Sequence, residues 1–99
     1  MFTFEQIRQE QIQAQADLAK TITRRNTWEE VVSGLWASVL KLEAESNLHD
    51  FADANYNNRL NFAYQAYDEA LETSKNLDDE IEDLEEKIDL LKRLKRYYL

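Results

Sequence analysis

A chain of 99 residues with 20 acids against 12 bases, net charge −8, repels polyanions as a whole, so nucleic acid and anionic lipid are disfavoured partners and any anion site must be local. The absence of cysteine excludes disulfides and thiolate chemistry, and no apolar run approaches the roughly 20 residues that span a bilayer. One glycine and no proline remove the usual material of turns, hairpins and phosphate loops, which points to a single all-α domain with short polar connections.

The first element is expected as a helix over about 4–23. Thr3 followed by Gln6 fits a capping box, and Phe4, Ile7, Ala14 and Leu18, with Ile12 and Ile22 beside them, recur at helical spacing. The stripe is thin and rich in glutamine, so this helix should lie on the outside of a bundle. The opening stretch MFTFEQIRQEQ lacks the basic and apolar regions of a secretory signal, and a cytoplasmic setting is expected.

The stretch RRNTWEE, residues 24–30, reads as a stop followed by a start. Arg24 and Arg25 suit a helix C-terminus, Asn26 or Thr27 can cap, and Glu29 and Glu30 favour a new N-terminal turn. A second helix over about 27–45 then carries Trp28, Val31, Val32, Leu35, Trp36, Val39, Leu40 and Leu42, an apolar face wider than a stripe. It is expected to be the core element, with Trp36 as its anchor and Gly34 marking a close helix crossing.

Ser46, Asn47 and Asp50 offer caps for a third helix over about 48–98. From Leu60 a heptad repeat can be counted, with Leu60, Tyr67, Ser74, Ile81, Ile88 and Lys95 in one column. Ala63, Ala70, Leu77, Leu84, Leu91 and Tyr98 form the other. Only residues 73–76 weaken it. The favoured architecture is an all-α antiparallel bundle of three helices with a long C-terminal coiled-coil helix; a break near 73–76 gives an up-down four-helix bundle instead.

In that repeat Asp78, Asp79, Glu82, Asp83 and Glu86 fall outside both seam columns, as do Glu80, Glu85 and Asp89, so an acidic surface is expected there. Acids early and the bases of KRLKR late complement the helix macrodipole, and the same gradient suits an antiparallel neighbour better than it suits mimicry of a nucleic acid.

Chemistry is sparse. Glu45, His49 and Asp53 stand at i, i+4 and i+8, an outline for a weak metal site, but there is no second histidine and no recognised metal motif. No serine has a visible base and no phosphate loop exists, so no catalytic residue, cofactor or metal is expected and the chain is not read as an enzyme.

Two groups of residues are candidates for protein interfaces. Phe51, Asn55, Asn58 and Phe62 mark a second face of the third helix, in a residue mix suited to interface anchors. Leu77, Ile81, Leu84, Ile88 and Leu91 form an aliphatic seam, expected to close against a second copy, because the first helix is short of large apolar residues and the charge gradient is complementary to itself. The functional expectation is a small acidic regulator or inhibitor that self-associates through this seam and binds or blocks another protein. The alternatives are an assembly subunit of a larger complex and a metal-binding protein using His49.

Overall fold

The computed structural model describes residues 3–45 and 54–98, and among these it contains two α-helices: α1, Phe4–Ala44, and α2, Ala54–Arg96. The architecture is therefore neither the expected three-helix bundle with a projecting coiled coil nor the four-helix alternative. The expected first and second helices are one helix of 41 residues, and the expected break near 73–76 lies inside a continuous helix of 43.

The fusion of the first two elements has a physical cause. Arg25 does not end a helix; it stands in a column spaced seven residues apart with Phe4, Gln11, Leu18, Val32 and Val39, and its guanidinium donates to Asp78 Oδ1 at 3.1 Å. Asn26 and Thr27 are exposed on the helix rather than capping one. The capping box at the true start is formed as expected. The Thr3 N–H donates to Gln6 Oε1 at 2.8 Å, and the Gln6 N–H donates to Thr3 Oγ1 at 3.1 Å.

The chain folds as two compact units, one of Met1–Arg25 with Asn76–Leu99 and one of Asn26–Lys75; each helix contributes a segment to each. In the first, the terminal unit, the segments run antiparallel: Phe4 meets Tyr98 with ring centroids 6.5 Å apart, while Arg25 meets Asp78. Its core is Ile7, Ala14, Ile88 and Leu91, with Leu18 and Leu94 packed around them. The small side chain of Ala14 is fully enclosed, so a residue that looked too slight to match an aliphatic seam is the one that lets α2 approach closely. Burying each large aliphatic here contributes about 1.5–3 kcal/mol.

In the second, the hairpin unit, Val39, Tyr56 and Ala70 are the buried apolar residues, with Ser74 buried beside them. The Tyr56 hydroxyl donates to the carbonyl of Leu42. That carbonyl belongs to the last turn of α1, where carbonyls run out of partners within the helix, and the bond ties this end of α1 to a side chain of α2. Trp36 is not the expected core anchor: it is 41% exposed, its ring laid against Tyr67 with centroids 5.0 Å apart. Trp28 is the more covered of the two tryptophans. Nor does Gly34 mark a close crossing, since it is exposed and a β-carbon built there meets nothing within 4 Å.

Candidate functional site

The seam residues Leu77, Ile81, Leu84, Ile88 and Leu91 all belong to the terminal unit. Leu77, Ile81, Ile88 and Leu91 are buried and Leu84 is half-buried, within a single chain. The expected position of a second copy is thus already taken by α1. The charge gradient finds its complement in the same place. Lys87 Nζ lies 3.4 Å from Glu10 Oε2, and Arg25 lies beside Asp78, so the acidic start of this stretch faces bases of α1 and a later lysine faces one of its acids.

Asp78, Asp79, Glu82, Asp83 and Glu86 are exposed, as are Glu80, Glu85 and Asp89. Around Asp83 the surface is of mixed sign, with Asp17, Lys20, Arg24, Glu80 and Lys87 lining one shallow groove with it. Exposed pairs of this kind each contribute about 0–1 kcal/mol, which makes them fixers of register more than sources of stability.

The hairpin unit is different in kind. Its α1 segment presents the wide apolar face seen in the sequence, but a single partner helix covers only the stripe of Val32, Leu35, Val39 and Leu42, and the two flanks of the stripe stay open. On one flank stand Trp36, Leu40 one turn further along α1, and Leu71 one turn beyond Tyr67 on α2; all three are exposed. Glu29 and Glu43, seven residues either side of Trp36, and Asp68 beside Leu71 give this flank an acidic border.

On the other flank an open groove of about 470 Å³ is lined by Leu35, Ser38 and Leu42 of α1 and by Asn58, Arg59, Phe62, Ala63 and Ala66 of α2. Phe62 is 74% exposed at its rim. The expected patch of Phe51, Asn55, Asn58 and Phe62 therefore divides. Asn58 and Phe62 line the groove, Asn55 is exposed near the start of α2, and Phe51 lies outside the described residues.

The Trp36 flank was not singled out in the sequence, although its signal was there: an apolar face from Val31 to Leu42 too wide for one neighbouring helix. His49 and Asp53 of the outlined metal site lie outside the described residues, as do the candidate caps Ser46, Asn47 and Asp50. Among the described residues no group of three or more histidine, aspartate or glutamate side chains is placed to hold a metal ion. No helix among them is long and apolar enough to cross a membrane. No protein family, curated protein or solved structure matches the chain.

Proposed function

We propose that this chain is a non-enzymatic interaction protein that binds another protein through the Trp36 flank of its hairpin unit. The observation that carries the reading is the exposed row of Trp36, Leu40 and Leu71, with Trp36 held in place by its contact with Tyr67. Tryptophan that is both exposed and rigidly positioned is the residue most often found at the energetic centre of interfaces, and holding it in advance lowers the entropy lost on binding. The border of Glu29, Glu43 and Asp68 selects a partner whose own apolar stripe is edged with lysine or arginine, such as a basic amphipathic helix.

The test is chemical cross-linking of the wild-type chain and of Trp36→Ala in lysate of the source cells, followed by mass spectrometry. A foreign protein joined to the wild type near Trp36, and absent with the variant, supports the reading. Capture only of further copies of the chain turns it into the assembly-subunit alternative, and identical captures by both proteins remove the Trp36 flank from the account.

A further inference from the structure

The groove flank of the hairpin unit holds a projection and a recess side by side. Phe62 projects from α2 at the rim. The α1 wall opposite is Leu35, Ser38 and Leu42, and Ser38 is the small residue between the two leucines, its Oγ donating to the Gly34 carbonyl one turn earlier at 3.1 Å. Space around Gly34 is empty to 4 Å from where a β-carbon would stand. A surface with a projection and a recess of matching apolar character is complementary to a two-fold copy of itself, each filling the other's recess.

Charge decides which flank a second copy can use. Every chain carries −8, so two copies approach most easily where each has its own bases. Between residues 26 and 75 the bases are Lys41, Arg59 and Lys75. Arg59 lines the groove, and Lys41 lies one turn past Ser38 on the same side of α1. Glu45 and Glu69, at heptad spacing from Ser38 and Phe62, are acids on that side, so this flank carries both signs. The Trp36 flank has Lys75, one turn past Leu71, against Glu29, Glu43 and Asp68, and so is the more acidic of the two and the less favourable to a second copy. Ser38 stands about 200° round α1 from Trp36, so the two flanks are separate surfaces.

We propose that this groove seats a second copy of the chain, the Phe62 ring of each copy entering the groove between Leu35, Ser38 and Ala66 of the other. The pairing does not use the Leu77 to Leu91 seam and leaves the Trp36 flank free, so it stands or falls independently of the partner reading above. With one aromatic ring per copy at its centre, the contact is a small one, of the kind that gives micromolar association.

Sedimentation equilibrium of the full chain, from low micromolar to several hundred micromolar, reads the result directly. The wild type is expected to rise from 11.8 kDa toward twice that mass. Phe62→Ser should weaken association at least about tenfold, and Ser38→Gln, which fills the recess from the other helix, should do the same. Leu40→Ser, on the opposite flank, should leave it unchanged. Positions 38, 40 and 62 are all exposed, and circular dichroism confirms that each variant keeps its helicity. A wild-type mass of one chain throughout the range, or a dimer that survives both Phe62→Ser and Ser38→Gln, or one lost with Leu40→Ser, overturns the proposal.

Discussion

In the terminal unit α1 offers Ile7, Ala14 and Leu18, with polar Gln11, Thr21 and Arg25 taking the other seam places, and α2 meets this narrow line with Leu77, Ile81, Ile88 and Leu91 while two cross-helix ion pairs flank it. In the hairpin unit the same two helices carry Trp28, Val32, Leu35 and Val39 on α1 and Tyr56, Leu60, Ala63 and Tyr67 on α2, all buried or half-buried, and the apolar surface overruns the seam on both sides. One partner helix is enough for a stripe and not enough for a face. The terminal unit thus closes its seam, with Ile12, Leu90, Tyr97 and Tyr98 exposed away from it, whereas the hairpin unit leaves Trp36, Leu40, Phe62 and Leu71 exposed along both edges of its seam.

The contrast can be broken most sharply by truncating one aliphatic residue in each unit. Ile7→Ala removes a side chain that is 1% exposed and should cost about 2–4 kcal/mol, enough to take a large part of the stability of a chain this size. Leu40→Ala, on the open flank, should cost under about 1 kcal/mol. Chemical denaturation of the two variants measures both, and equal losses would erase the distinction between the closed seam of one unit and the open flank of the other. By the same reasoning Trp36→Ala, at about 1–2 kcal/mol, should cost less than the removal of a fully enclosed tryptophan, its contact with Tyr67 being the main loss.

A smaller effect tests how the hairpin unit is fastened. Tyr56→Phe deletes only the hydroxyl that satisfies the Leu42 carbonyl and should cost about 1 kcal/mol. Hydrogen exchange should show the change concentrated in the last turn of α1; a uniform change along both helices would mean that the hydroxyl has no special role at that end. Gly34→Ala should move in the opposite direction. The helix is continuous through this position, the glycine does not have positive φ, and the added methyl meets nothing, so the variant should gain up to about 1 kcal/mol. A loss of stability there would show that the groove wall is tighter than described. The slightest expected effect is Asp78→Asn, a few tenths of a kcal/mol, fading as salt is raised.

The long α2 and its two seam columns were legible in the sequence because leucine and isoleucine fill them from Leu77 to Leu91. The matching repeat in α1 was not, because glutamine, threonine and arginine take seam places. Arg24 and Arg25 ahead of Asn26 and Thr27 carry the chemistry of a helix end whether or not one is present. Local signals of that type describe a preference of a few tenths to about one kcal/mol, and packing along more than forty residues of partner helix outweighs it. The interface residues divided for a related reason. A heptad shows which residues seek a seam but not which chain supplies the other side, and Ala14, read as a deficiency, is what allows α1 to close the seam of Leu77 to Leu91. The open flanks of the hairpin unit follow from a count of helices, which residue spacing alone does not yield.

The hydroxyl tether between Tyr56 and Leu42 bears on how the chain finds its structure. It joins residues 14 apart, whereas the Arg25–Asp78 pair joins residues 53 apart. Closing the shorter loop is less costly by about 1 kcal/mol of chain entropy. The hairpin unit is therefore expected to close first and the segments of the terminal unit to dock later. Replacements around Val39 and Tyr56 should slow folding, while those around Ile7 and Ile88 should chiefly hasten unfolding. The region expected to form first is also the one where Trp36 and Phe62 stand exposed, so that aromatic surface should be in place before the helices of the terminal unit have docked.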